Sequence, residues 1–260
     1  MDTDMDDSDV AVTTPNSTIS EDDSDDSGST TSTHDALRWR LWQCLETAKH
    51  DGTFYYLERL ETYVNPGLYI HKLGQVGLPT ARRDAAAMAK VSKKAPFGKG
   101  SETLVDLSVR KTFELDSSEF ECQHPAWQAF LDSVVLSAAE SMGVKVKMRA
   151  ERYKLLLYEE GAFFKSHHDS ENVPGMFGTF VKCLPSEHTG GDVHVSHGNE
   201  KILLRTSDNL KFDMSALAWY SEVHHRVEPV TSGYRAVLTF NLVQDQKLPR
   251  QTAAALDETL

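Results

Sequence analysis

The sequence predicts an α+β fold, a double-stranded β-helix (jelly roll) core with supporting N-terminal helices. Two observations carry this. From Val144 onward the chain is a succession of short segments rich in aromatic and β-branched residues, the pattern of strands. Before that point, amphipathic and Ala-rich stretches read as helix. Many short strands after a helical block suit two packed sheets with helices against them, and 260 residues are enough for one large core.

Taken in order, residues 1–33 form an acidic tail. They hold ten of the 39 acidic residues and none of the 27 bases, which leaves the remainder nearly balanced at 29 acids against 27 bases. The tail is also rich in Ser and Thr and poor in hydrophobes, so it is expected to be disordered. Residues 34–145 form a helical and mixed support region. Asp35 to Lys49 reads as a helix with Leu37, Leu41, Trp42 and Leu45 on one side. Gly52 to Leu60 reads as a strand, and Asn65-Pro66-Gly67 as a turn. Thr80 to about Lys93 is Ala-rich and helical, with Thr80 as its cap. Phe97-Gly-Lys-Gly100 reads as a connecting loop, and Pro125 to Met142 as a helix stopped by Gly143.

The β core spans 146–243, with strands expected near 146–158, 162–168, 177–184, 192–196, 200–206, 216–220, 223–230 and 234–243. Pro174 to Gly178 is expected to form a mobile loop. Residues 244–260 form a C-terminal extension, frayed at first and then helical from Thr252.

Composition narrows the function classes. No apolar run approaches the ~20 residues needed to cross a membrane, and the acidic N-terminus is the opposite of a secretory signal. Cys44, Cys122 and Cys183 form no spaced framework, as expected of an intracellular protein, cytoplasmic or nuclear. A nearly neutral body gives no electrostatic case for nucleic acid. The pairs Arg82-Arg83 and Lys93-Lys94 are expected on solvated helix surface.

Two segments carry chemistry. Phe164-Lys-Ser-His-His-Asp169 offers His167 and Asp169 two residues apart, and residues two apart on a strand share a face. Downstream, His224 and His225 precede an Arg, Arg235, in a strand whose alternation groups Arg235 with Val237 and Thr239. Two His and one carboxylate can occupy one face of an iron(II) ion and leave the other open. An Arg facing inward demands an anionic partner, because an unpaired buried charge is costly. Its planar fork suits a carboxylate. The other histidines are weaker signals: His194 and His197 flank a strand end, and Cys183 with His188 falls short of the four ligands of a structural zinc site.

Residues 153–243 resemble the prolyl 4-hydroxylase-like branch of the iron(II)/2-oxoglutarate-dependent dioxygenases. The matching text runs from Lys154-Leu-Leu-Leu-Tyr158 to Phe164, through His167-His168-Asp169 and Gly190-Gly191-Asp-Val-His-Val195, to His225-Arg-Val-Glu-Pro229 and Gly233-Tyr-Arg235-Ala-Val-Leu-Thr239. Asn65 to Glu121 also looks like the N-terminal half of fungal proteins of this type. The resemblance implies that His167, Asp169 and His225 ligate iron, His225 rather than His224 because it keeps the family spacing to Pro229 and Arg235. It implies that Arg235 binds the far carboxylate of 2-oxoglutarate and that the Tyr158 hydroxyl helps hold it. Thr239, on the same inward face as Arg235, is a further candidate for that pocket. Collagen-type prolyl hydroxylases usually carry Lys where this chain has Arg235. The nucleic-acid dealkylases that share the chemistry place a second Arg where this chain has Asn241.

What the resemblance implies is therefore an oxidoreductase. It would hydroxylate a C–H bond with iron(II), 2-oxoglutarate and molecular oxygen, and with ascorbate as a possible accessory, forming succinate and carbon dioxide. A protein or peptidyl residue, prolyl above all, is the expected substrate class. The alternatives are a small-molecule hydroxylase and a non-catalytic module that senses 2-oxoglutarate or iron.

Overall fold

The computed structural model describes residues 37–38, 52–99, 102–207 and 211–257, with backbone alone for 97–99, 102–104 and 257. The chain divides into two units, Met1–Thr47 and Ala48–Leu260. In the first only Leu37 and Arg38 are described, both helical. The acidic tail and most of the helix expected from Asp35 to Lys49 thus lie outside the described residues.

The second unit begins with β1 (Tyr55–Leu60), β2 (Leu68–Ile70) and β3 (Gly74–Gln75), followed by helix α1 (Arg82–Val91). Five short strands follow: β4 (Lys93–Lys94), β5 (Phe97–Lys99), β6 (Glu102–Leu104), β7 (Phe113–Asp116) and β8 (Phe120–Cys122). After helix α2 (Trp127–Ser141) come β9 (Met148–Glu159), β10 (Phe164–His167), β11 (Met176–Cys183), β12 (His188–Gly190), β13 (Val193–His197) and β14 (Glu200–Leu204). The chain closes with β15 (Met214–Tyr220), β16 (His224–Val227), β17 (Val230–Gln244) and a short helix α3 (Ala254–Asp257).

Pairing is mostly antiparallel. An eight-stranded sheet runs β1-β15-β11-β17-β9-β7-β4, with β12 also paired to β17. A four-stranded sheet runs β10-β16-β13-β14, and a three-stranded one β3-β2-β8. The large sheet is organised on β17, whose 15 residues pair along one edge with β9 and along the other with β11 and then β12. Helices α1 and α2 pack against it. That cover explains why β15, Met-Ser-Ala-Leu-Ala-Trp-Tyr, is buried at every position and reads as a continuous apolar run instead of an alternating one. Tyr220 fastens α2 to the sheet by donating its hydroxyl to the Met142 carbonyl at 2.6 Å.

Several expectations need correction. Helix α1 is capped by Ala81 with no side-chain bond, and the Thr80 hydroxyl is buried without a partner. Thr80 is drawn instead into a bridge with Ser186. Within the loop expected at 97–100, Phe97–Lys99 form β5, paired antiparallel with β6, and Gly100 lies outside the described residues. Lys93 and Lys94 lie on a strand, not a helix: Lys93 pairs with Asp116 and Lys94 lies over the Phe113 ring at 3.4 Å. The loop expected at 174–178 ends early, because Met176, Phe177 and Gly178 are buried in β11. The segment after Gln244 is held down. The Gln244 side-chain amide donates to the carbonyls of Leu248 and Pro249, and Ala253 is buried. Among the described residues no helix is long and apolar enough to cross a membrane.

Candidate metal centre

Strands β10 and β16 lie side by side with His167 directly opposite His225. Asp169 follows the end of β10, and its backbone N–H bonds to the Ser221 carbonyl at 3.1 Å. One donor atom from each of His167, Asp169 and His225 lies within 4.8 Å of the others, and His225 Nε2 is 3.7 Å from Asp169 Oδ1. Metal–ligand bonds of ~2.0–2.2 Å set adjacent donors roughly 3 Å apart, so a small inward movement would close this set on one ion. His168 and His224 meet each other edge-on, 5.4 Å between ring centroids, and belong to no metal-sized cluster among the described residues.

The tautomers suit ligation. His167 Nδ1 lies 2.8 Å from the Lys165 carbonyl and His225 Nδ1 3.2 Å from the Val223 carbonyl. A carbonyl only accepts, so each Nδ1 carries the proton and each Nε2 keeps its lone pair. The far oxygen of Asp169, Oδ2, accepts from the Thr179 hydroxyl at 2.6 Å and from the Trp219 indole N–H at 3.1 Å. Those bonds leave Oδ1 on the histidine side. Rings wall the group: Phe164 stacks on His167 at 3.6 Å and Trp219 lies against His225 at 4.6 Å.

The electrostatics keep the ligands ready. Burial, then the neighbouring His225, push the His167 pKa down to about 3, so its ring is neutral at pH 7. Burial alone would raise the Asp169 carboxyl. The neighbouring His225, the Thr179 hydroxyl, His167 and the Trp219 indole together outweigh it, and the pKa ends below the usual carboxylate value.

Arg235 is the largest fully buried side chain, 2% exposed. No carboxylate lies within ion-pair distance of it among the described residues. Its Nη2 donates to Cys183 Sγ at 3.3 Å, a weak acceptor, and its Nε is buried without a partner. Tyr158 sits opposite Arg235 across β9 and β17, its ring centroid 5.2 Å from the guanidinium carbon. Gly191 leaves room for the Arg235 chain: a Cβ there would fall 2.9 Å from Arg235 Cδ. The register therefore gathers Arg235, Tyr158 and Cys183. Thr239 keeps its place in the alternation with Arg235 and Val237, but its hydroxyl is engaged with the backbone. Its hydroxyl bonds to both the N–H and the carbonyl of Lys154, where the β9–β17 register shifts. It closes that bulge, and its one proton is already donated, so it has none to give a carboxylate.

Sequence reasoning missed Thr179 and Trp219. The alternation of β11 could have exposed Thr179, which falls two and four residues before Val181 and Cys183 on one face. Trp219 had no such signal, since β15 is apolar on both faces. His194 bonds to Glu228 at 2.6 Å on the outer side of β13 and takes no part in a metal set.

Residues 153–243 match the model of the 2OG-Fe(II) oxygenase superfamily. The implied cofactor set is iron(II), 2-oxoglutarate and molecular oxygen. The chain is 29% identical over 119 residues to a PKHD-type hydroxylase of Sphingopyxis alaskensis, covering 42% of this chain and 52% of that protein. It thus spans about half the length of the curated relative it matches. Among solved structures it is similar to a prolyl-4-hydroxylase of Pseudomonas putida, with 16% identity, TM-score 0.46, and 73% and 92% of the two chains covered. It is also similar to a Trichoplax adhaerens prolyl hydroxylase in complex with a hypoxia inducible factor peptide fragment, with 13% identity, TM-score 0.48, and coverage of 82% and 97%.

Proposed function

We propose that the chain is an iron(II)- and 2-oxoglutarate-dependent dioxygenase that hydroxylates a C–H bond on a peptidyl residue such as proline. The observation that carries the reading is a buried guanidinium with no anion among the described residues, in the same fold as a half-buried His-Asp-His set. An uncompensated buried charge costs several kcal/mol, and a dicarboxylic co-substrate supplies the missing partner. In this reading the two sheets are the walls of a jelly roll formed by residues 146–243, and residues 34–145 support it. The tail, the likeness of residues 65–121 to fungal members and an intracellular location belong to the same proposal.

The residues divide the work. His167, Asp169 and His225 would hold iron(II) by Nε2, Oδ1 and Nε2. Bound there, iron would supply the oxidation chemistry that converts 2-oxoglutarate and oxygen to succinate and carbon dioxide and delivers a hydroxyl to the substrate. Arg235 fixes the far carboxylate and so sets how the keto end meets the iron. Tyr158, buried beside it, lines the same pocket. Thr179 and Trp219 hold Asp169 so that one oxygen stays turned to the histidines. Phe164 and Trp219 keep bulk water from the ligand rings, which strengthens every polar interaction inside. A peptide substrate is favoured by the names of the relatives alone. A small-molecule substrate would use the same residues.

The test is a titration of 2-oxoglutarate into the anaerobic iron(II) protein, followed by oxygen and measurement of succinate. Wild type should bind and turn over slowly without prime substrate. Asp169→Ala should lose iron binding and succinate together. Arg235→Ala should keep iron but weaken the co-substrate by roughly 2–5 kcal/mol, with Arg235→Lys in between. Unchanged co-substrate affinity in Arg235→Ala would refute the assignment. Candidate peptides that gain one oxygen atom by mass spectrometry would then define the substrate.

A further inference from the structure

His188 is a second buried polar side chain in this region with one unpartnered nitrogen. It is 7% exposed, and its Nε2 is buried without a partner. Its place is set by register. Both β11 and β12 pair with the same edge of β17, Cys183 opposite Val237 and His188 opposite Gly233. Gly233, Arg235 and Val237 alternate onto one face of β17. Arg235 is therefore flanked along that edge by Cys183 on one side and His188 on the other. Thr189, the next residue, turns outward and bonds to the hydroxyls of Thr231 and Ser232, both at 2.7 Å. Gly190 and Gly191, both at positive φ, turn the chain back under the Arg235 side chain.

Two orphaned buried atoms thus share one face: Arg235 Nε, which must donate, and His188 Nε2. The His188 ring is fixed by its other nitrogen, 3.0 Å from the Ser186 carbonyl. That nitrogen must carry a proton, so in the neutral ring Nε2 is a bare lone pair. Burial first, then the Arg235 charge, lower its pKa to about 4, so the ring is neutral at pH 7. A bare lone pair facing a carboxylate oxygen repels it. One proton between them turns the contact into a charge-assisted hydrogen bond.

We infer that His188 is a second recognition group for the far carboxylate of the co-substrate, and that binding draws one proton from solvent into the His188–carboxylate contact. The inference rests on the co-substrate reading above. The balance is simple: one N–H bond forms, the buffer loses one proton, and nothing is oxidised or reduced. The charged groups that act on His188 are Arg235 from β17 and Asp192 just beyond β12. Arg235 opposes protonation and Asp192 favours it. The arriving carboxylate decides the balance, because it cancels the Arg235 charge. Such a site selects an anionic far end that can accept from both groups, and so discriminates against neutral and shorter 2-oxo acids.

Calorimetric titration of 2-oxoglutarate into the anaerobic iron(II) protein at pH 7, in two buffers of different protonation enthalpy, reads the proton directly. Wild type should take up close to one proton per co-substrate, and affinity should fall about tenfold per pH unit within the window where uptake is complete. His188→Asn, and His188→Gln as a second variant should the first misfold, should take up none and bind more weakly while keeping wild-type iron affinity. Binding without proton uptake in wild type, or uptake that persists in both variants, overturns the role of His188 and leaves Arg235 intact. Failure of wild type to bind 2-oxoglutarate at all overturns the co-substrate reading itself, and this inference with it.

Discussion

Lys182 sits on β11 with its side chain wholly buried and its amine bonded to nothing. It points to the side of the sheet away from Thr179 and Cys183, where its Nζ lies 4.7 Å from the Phe130 ring centroid and 5.8 Å from that of Phe180. Cation–π attraction offsets only part of the desolvation. Burial therefore drives its pKa from 10.5 down to about 7, against the milder pull of Glu58. The unfolded chain binds the extra proton between those two values. Stability should thus rise as pH climbs from about 7 toward 10.5, and the benefit is lost as pH falls back. Lys182→Met keeps the length and removes the charge. It should stabilise the protein by about 1–3 kcal/mol at pH 7 and flatten that part of the pH profile. Urea unfolding at pH 7 and pH 9.5 checks both effects.

Strand β12 and its glycines show how a short element can control the pocket from behind. Gly191 has φ +76°, and an added Cβ would meet Arg235 Cδ at 2.9 Å and Val230 Cγ2 at 3.0 Å. Gly191→Ala should therefore displace the guanidinium and cost about 1–3 kcal/mol in stability. It should weaken 2-oxoglutarate binding at least tenfold with iron affinity unchanged, as titration of each ligand would show. This element was not legible in the sequence, because three residues carry too little periodicity to read. The same holds for β2 to β8 around α1. The long segments were legible for the opposite reason: β9, β11, β15 and β17 have 7 to 15 residues of consistent β character. The metal set was legible because its spacing reports strand alternation, and Arg235 because an inward charge is conspicuous in an apolar strand. Thr239 shows the limit of that reasoning. A bulge between Thr239 and Phe240 took its hydroxyl, and no pattern in the sequence announces a bulge.

In the whole second unit, Asp169 is the joint between sheets. Its near oxygen faces the histidines of the four-stranded sheet, and its far oxygen is held by Thr179 and Trp219 of the eight-stranded one. A metal at this joint binds only the folded state, so occupancy and stability are linked. Anaerobic iron(II) at about a hundredfold excess over its Kd should add ~2.7 kcal/mol to unfolding, and a chelator should remove it. Asp169→Asn should abolish that gain. Its one carbonyl oxygen would stay with the two donors, and its NH2 would face the histidines, where it cannot ligate. Thermal or urea unfolding with and without metal measures the difference.

The indole of Trp219 gives the joint a second property. It is hydrogen-bonded to one member of the donor set and lies against the ring of another. Trp127, the other tryptophan among the described residues, is buried at the start of α2, against Phe130. The protein thus carries a resident fluorophore at its centre. Quenching of Trp219 emission by a paramagnetic ion would report site filling without any label, and a Trp219→Phe control would separate its signal from the rest.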